Sequence, residues 1–64
     1  MMIKEFLRPF SDDTKMTIIA ENDYTYEIKT AKDLKGGPLG DKEIKEAKMS
    51  KWLPGLEILI ASFL

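Results

Sequence analysis

The last nine residues of the chain are apolar on both of their alternating faces. Residues 56–64 read Leu-Glu-Ile-Leu-Ile-Ala-Ser-Phe-Leu, with one charge at Glu57. Because side chains alternate along a strand, residues 56, 58 and 60 share one face, and the other face carries Leu59, Ala61 and Phe63. A strand of this kind has to be covered on both sides. The pattern predicts a strand with one face against the protein's own core and the other against a partner.

The N-terminal apolar residues follow the period of a helix. They recur at i, i+3, i+4 and i+7, at Ile3, Phe6, Leu7 and Phe10. Pro9 lacks an N–H and clashes with the preceding turn, so a helix has to end before it. The spacing predicts a helix from Met2 to about Arg8.

Two strands follow and form a predicted hairpin. Residues 14–21 contain a β-branched run that suits a pleated strand. Residues 24–30 alternate between apolar and polar side chains. The apolar face carries Tyr24, Tyr26 and Ile28, and we expect it to pack beneath the helix. Residues 21–23 are Glu-Asn-Asp, which is typical of the turn between such strands.

The second half of the chain predicts a short turn and two more strands. Thr30 can cap a single helical turn over residues 31–35, which Gly36, Gly37 and Pro38 end. Residues 41–51 have good helix formers but only a thin apolar stripe, so we favour a strand with a bulge near Ile44 and keep a helix as the alternative. Pro54 and Gly55 then reverse the chain. The predicted fold is α+β, one domain over residues 1–64, with one short N-terminal helix on a small antiparallel sheet in the order α-β-β-(turn)-β-β.

Composition limits how such a chain can be stabilised. It has 64 residues, no cysteine and no histidine. Disulfides are therefore excluded, and a zinc site is not expected. A core of this size is marginal, and many domains of similar length fold alone while others need a partner. We expect no cofactor and no metal, and we favour self-association or binding to a larger protein.

The same composition argues against catalysis. Histidine and cysteine are the usual general base and the most reactive nucleophile, and neither is present. The adjacent carboxylates Asp12 and Asp13 suit a solvated loop better than a cation site. The glycine-rich residues 36–40 lack the Gly-Lys-Ser/Thr ending of a phosphate-binding loop. We predict that the protein is not an enzyme.

Charge is unevenly distributed and leaves a second hypothesis open. Residues 1–28 carry three basic and six acidic side chains, whereas residues 29–51 carry seven lysines and four acidic side chains. The lysines of residues 29–51 could contact the phosphates of a nucleic acid, so nucleic-acid binding is the alternative function. Arg8 is the only arginine, so sequence-specific readout is poorly supported. The candidate contacts are Lys29, Lys32, Lys35, Lys45, Lys48 and Lys51.

Nothing in the sequence indicates a membrane or a secreted location. The longest apolar run is far shorter than the roughly 20 residues of a membrane span. The N-terminal residues carry charge where the apolar stretch of a signal peptide would lie. We expect a cytoplasmic protein.

Three stretches of the chain are similar to a known group of proteins. They are Ile-Lys-Glu-Phe-Leu at residues 3–7 with Asp-Asp-Thr-Lys-Met-Thr-Ile at 12–18, Gly-Asp-Lys-Glu-Ile at 40–44, and Leu-Glu-Ile-Leu-Ile at 56–60. In this order they resemble small uncharacterised proteins of phages, prophages and other mobile elements of Gram-positive bacteria. The resemblance implies a strand after Ile44 and carries over no catalytic or binding residues.

These observations together favour a small non-catalytic interaction protein. We expect it to self-associate as a homodimer or higher oligomer, or to bind a host or phage protein as an accessory factor or inhibitor. Large apolar side chains near a turn or on an uncovered strand face are typical of interfaces. The candidate interface residues are Trp52, Leu53, Leu59, Ala61 and Phe63.

Overall fold

A computed structural model describes residues 1–49, 51 and 55–64. Among them are two short helices, α1 (Ile3–Phe6) and α2 (Ala31–Gly36), and four strands, β1 (Lys15–Ala20), β2 (Thr25–Thr30), β3 (Glu46–Met49) and β4 (Leu56–Ile60). Single 3₁₀ turns lie at Glu21–Asp23 and Pro38–Asp41. The α+β class is confirmed, whereas the predicted order α-β-β-(turn)-β-β differs in detail because the turn after β2 is a second helix, α2.

The sheet is mixed rather than antiparallel. Its strand order is β2-β1-β4-β3, and β1 pairs antiparallel with β2 but parallel with β4. The prediction of an antiparallel sheet was wrong because β4 lies beside β1 and runs parallel to it. The chain crosses over the sheet through α2, forms β3 at the far edge, and returns antiparallel to β3 between β3 and β1.

The helices cover one side of this sheet, which we call the helix side. In the described residues the core contains buried side chains from both helices and from alternate positions of the two central strands. Phe6 and Phe10 pack against this core, with ring centroids 5.6 Å apart. The N-terminal apolar stripe therefore covers one sheet face, as predicted. The buried apolar residues are Ile3, Leu7, Met16, Ile18, Ala20, Ala31, Leu34, Ile58 and Ile60.

Local sequence explains where the helices begin and end. α1 is shorter than predicted and is followed by a hydrogen-bonded turn, since Pro9 has no N–H to extend the helix. α2 begins after Thr30, whose Oγ1 accepts a hydrogen bond from the Asp33 N–H at 3.3 Å. The cap predicted at Thr30 is therefore present, and α2 ends at Gly36 as the glycine pair predicts.

The predicted strand in the second half of the chain is also present. β3 covers Glu46–Met49, and Ala47 and Met49 share the helix side because they lie opposite Ile58 and Leu56. Ile44 lies before the strand, where its N–H donates to the carbonyl oxygen of Met1 at 2.9 Å. The helical alternative for this segment is wrong.

Candidate interaction surface

The side of the sheet away from the helices, which we call the open face, carries an apolar patch on its β1–β2 half. Strand register defines this side: Met16, Ile18 and Ala20 face the helices, so Ile19 faces away. Tyr26 lies opposite Ile19 on one side of β1, and Leu59 lies beside it on the other. The patch consists of Ile19, Tyr24, Tyr26, Ile28 and Leu59.

The members of the patch differ in how far they are exposed. Tyr24 is 97% exposed, Tyr26 52% and Ile28 50%, whereas Ile19 and Leu59 are half-buried between their neighbours. A shallow depression lies among Ile19, Tyr24, Tyr26 and Leu59. Large apolar side chains gathered on a sheet face that the described helices leave uncovered are typical of a binding surface.

The position of Tyr26 and Ile28 corrects the sequence-based expectation. They were expected to pack beneath the helix, but their register with Ile19 and Thr17 places them on the open face. The helix side of β2 instead presents Glu27 and, next to it, Lys29. An apolar strip on an edge strand looks the same in sequence whichever way it faces, so alternation alone could not separate the two cases.

Tyr24 has an unfavourable backbone conformation as well as an exposed side chain. Its φ of 52° and ψ of 39° lie in the left-handed region, which costs an L-residue other than glycine, asparagine or aspartate about 1 kcal/mol. The predicted turn residues Asn22 and Asp23 tolerate this conformation better than tyrosine. Because its side chain is also almost fully exposed, Tyr24 adds little to the folding of the chain.

The other half of the open face is charged. Glu46 and Lys48 come from β3, and Glu57 comes from β4 next to Lys48 in the register. The open face is therefore divided into an apolar half at one edge and a half with both signs of charge at the other. This division confines an apolar contact to β1, β2 and the near side of β4.

One polar side chain lies buried on the open side of β1. Thr17 has no exposed surface, and its Oγ1 has no hydrogen-bond partner among residues 1–49, 51 and 55–64. Its neighbours in the register are Ile28 and Glu57. A buried hydroxyl without a partner costs about 1–3 kcal/mol relative to an apolar group of the same shape.

We therefore expect Thr17→Val to raise the free energy of unfolding by about 1 kcal/mol, since it exchanges the hydroxyl for a methyl group. Urea denaturation measures this change. Thr25→Val is the control because Thr25 is exposed in the same hairpin. A loss of stability on Thr17→Val with no change on Thr25→Val would show that the hydroxyl is satisfied in solution.

The predicted interface residues lie in different places. Leu59 belongs to the apolar patch, whereas Ala61 is exposed beyond the end of β4 and its carbonyl oxygen accepts from the Asn22 N–H at 2.8 Å. Phe63 packs against the helix-side core, not beside Leu59. The alternation ends at Ile60 because Asp23 binds the following residues, including the Phe63 N–H at 3.0 Å. Trp52 and Leu53 lie outside the described residues.

The candidate nucleic-acid contacts do not form one band. Lys29 lies on the helix side of β2, 3.8 Å from Glu27, and Lys48 lies on the open face. Lys35 donates to the Phe10 carbonyl oxygen at 2.6 Å and to Asp12, and Lys45 pairs with Glu21. Lys32 is exposed on α2, and Lys51 is exposed after β3. Acidic partners accompany several of these lysines, so their positive charge is locally compensated.

Neither the N-terminal ammonium nor the acidic side chains indicate a second site in the described part of the chain. The hydrogen bond to Glu43 raises the pKa of the Met1 ammonium above its ordinary value. Within residues 1–49, 51 and 55–64, no group of three or more acidic side chains could hold a metal ion. None of the helices in these ranges is long and apolar enough to cross a membrane.

Comparison with known proteins does not add a site. No protein-family model, no curated protein and no solved structure matches the chain. The apolar patch is therefore argued from its own geometry. Of the residues in the patch, only Leu59 was predicted from the sequence as an interface residue. The signal that could have identified the others is the hairpin register, which places Tyr26 beside Ile19.

Proposed function

We propose that the protein is a small non-catalytic interaction module that binds another protein through the apolar patch on its open sheet face. The observation that carries this proposal is Tyr24, an aromatic side chain that is 97% exposed at a left-handed backbone position. Such a residue contributes little to the folded monomer and suits a binding anchor, since tyrosine is enriched among the residues that dominate interface energetics.

The patch has the form expected of a protein contact. Tyr24 and Tyr26 offer aromatic surface with a polar tip, and Ile19 and Leu59 supply the half-buried floor between them. The charged residues of β3 and β4 form a polar rim on one side. This arrangement supports protein binding more than a small-molecule site, which is normally concave.

The proposal includes self-association and a host or phage protein as the bound partner. The expectation of a host or phage partner rests on the resemblance to small proteins of mobile elements. An accessory or inhibitory role would suit a chain of this size. A cytoplasmic location is part of the proposal, because the sequence contains no cysteine. The compensated lysines do not favour nucleic-acid binding as a second function.

Capture from a host lysate with matched baits tests the proposal. The baits are the wild-type chain, the variant Tyr24→Asn/Tyr26→Thr, and Met49→Thr as a control that removes an exposed apolar side chain from the helix side. We expect proteins that bind to the wild type and to the control but bind the patch variant at least about tenfold more weakly. Equal retention by all three baits, or specific retention by none, would contradict the proposal.

A stability measurement tests the role of Tyr24 directly. We expect Tyr24→Asn to raise the free energy of unfolding by about 0.5–1 kcal/mol, because asparagine adopts the left-handed conformation more readily than tyrosine. The melting temperature would rise by roughly 4 °C. Tyr26→Asn is the control, since the same exchange inside β2 lacks this benefit and disfavours a strand. If Tyr24→Asn is the less stable of the two, Tyr24 has a structural role instead.

A further inference from the structure

β2 forms one edge of the sheet and has the features of a strand that can accept another. In the described part of the chain its strand neighbour is β1, with which it forms a ladder of six residue pairs without a bulge. The strand contains no proline, and residues 25–28 are exposed. Edge strands that avoid association are usually short, bulged, interrupted by proline, or charged. Of these protections β2 has only charge, from one glutamate and one lysine, Glu27 and Lys29.

The hydrogen-bond pattern shows which backbone groups of β2 point outward. One step beyond the ladder and in the same register, the Ala31 N–H donates to the Thr14 carbonyl oxygen at 2.9 Å. Hydrogen-bonded pairs alternate along an antiparallel ladder, so residues 25, 27 and 29 direct their backbone groups toward β1. The outward groups are then those of Tyr26, Ile28 and Thr30.

The amide of Thr30 agrees with this alternation. Its N–H donates to the Asp33 Oδ2 at 3.5 Å, and not to β1. The N–H and carbonyl groups of Tyr26 and Ile28, and the carbonyl of Thr30, are therefore the groups that the edge offers to another strand.

We propose that β2 pairs antiparallel with β2 of a second copy of the chain, about a two-fold axis through Ile28. In this register Ile28 lies opposite the partner's Ile28, and Tyr26 lies opposite the partner's Thr30. The two isoleucines exchange both of their backbone hydrogen bonds, and each Tyr26 N–H donates to the partner's Thr30 carbonyl oxygen. The outward groups of one chain thus meet the outward groups of the other.

The charges on the helix side of β2 select this register. Glu27 and Lys29 flank Ile28, so the two-fold axis places Glu27 opposite the partner's Lys29 twice, once on each side of the axis. A register centred on Glu27 would place two glutamates opposite each other, and one centred on Lys29 would place two lysines there. Like charges directly opposite on neighbouring strands are destabilising. Ile28 is the centre at which the charges are complementary.

This pairing gives a geometry to the self-association that is part of the proposed function. In that respect the inference rests on the proposed function. It joins two four-stranded sheets into one sheet of eight strands and brings the two copies of Tyr26 and Ile28 together on a common open face. An edge contact of this kind buries less surface than a standard protein interface. We expect a weak dimer, because contacts of low buried area are typical of transient association.

Charge reversal with complementation tests the register. The variants are Glu27→Lys, Lys29→Glu and the double variant, with dissociation constants measured by sedimentation equilibrium. We expect each single variant to dimerise about tenfold more weakly than the wild type, because both pairs change from attraction to repulsion. The double variant restores pairing, and an equimolar mixture of the two single variants forms a heterodimer in which both pairs attract.

The mixture separates the contact between chains from effects within one chain. Glu27 and Lys29 already lie 3.8 Å apart in the monomer, and mixing cannot repair that contact in either variant. Both side chains are partly exposed, so the variants keep the fold, and circular dichroism checks this. A heterodimer in the mixture supports the register.

Three results would overturn the inference: a wild-type chain that stays monomeric up to millimolar concentration, single variants that dimerise as tightly as the wild type, or a mixture that associates no better than its components. A dimer that responds to Tyr24→Asn/Tyr26→Thr and not to the charge variants would indicate face-to-face packing and reject the edge register. The lysate capture does not depend on these charges, so the proposed function can survive the failure of this inference.

Discussion

Replacing Ile18 with alanine is expected to lower the free energy of unfolding by about 3–4 kcal/mol, a large part of the stability of a domain this small. Ile18 has no exposed surface and lies in the middle of β1, between β2 and β4. Its neighbour in the parallel pair is Ile58, and Ile3 and Leu7 belong to the same buried cluster above the sheet. The cavity left by the missing side chain would be central to the core, where few neighbours can move to fill it.

The matched control is Ile28→Ala, which makes the same substitution in the adjacent strand. Ile28 is 50% exposed on the open face, so we expect a loss of about 1 kcal/mol or less. Urea denaturation at a protein concentration that keeps the chain monomeric measures both changes. Similar losses for the two variants would mean that the helices do not bury the side of β1 that the structure assigns to them.

The second large effect is expected from Gly40→Ala, which tests how closely the helical layer packs. A Cβ atom at Gly40 would lie 2.5 Å from the carbonyl oxygen of Leu34 and 3.3 Å from the Cβ of Lys4. Neither atom can rotate away, because one is backbone and the other is attached directly to it. The Pro38–Asp41 turn would have to move away from α1 and α2, and we expect a loss of about 2–3 kcal/mol.

Gly36→Ala is the control for Gly40→Ala. A Cβ atom at Gly36 meets nothing within 4 Å, and alanine favours the end of α2 over glycine, so we expect unchanged stability or a gain of up to about 1 kcal/mol. Thermal denaturation of both variants gives the comparison. If Gly40→Ala is as stable as Gly36→Ala, the turn lies farther from the helices than the structure shows.

Elements that depend on neighbouring residues were predictable from the sequence. The spacing of Ile3 and Leu7 indicates a buried helical face, and Thr30 indicates the start of α2 through its hydrogen bond with Asp33. The β-branched residues of β1 and the alternation of β2 indicate a hairpin. Each of these features is determined within a few residues, so a local pattern is sufficient to find it.

Features that depend on distant parts of the chain were not predictable in the same way. β4 has the same apolar pattern whether it runs parallel or antiparallel to β1, and only its pairing in the folded sheet decides between them. Ile18 and Ile19 are both apolar, so sequence alone could not tell which of them faces the helices. For the same reason the apolar side of β2 was assigned to the wrong face of the sheet.

The candidate site shows the same limit. Leu59 was found because the strand alternation holds up to Ile60, whereas Phe63 was misplaced because Asp23 redirects the chain after the strand. The contact between Asp23 and Phe63 joins residues that are far apart in sequence. No periodic pattern includes such a contact, and only the folded arrangement reveals it.

The parallel pairing of β1 with β4 has a consequence for how fast the protein folds. Met16 lies beside Leu56, so the centre of the sheet forms only when a loop of about 40 residues closes, at an entropic cost of about 3 kcal/mol. The β1–β2 hairpin alone is a two-stranded unit that is marginal in water. We expect folding in milliseconds to seconds, the range of chains dominated by distant contacts. Until β4 pairs with β1, the chain remains unfolded and accessible to proteases.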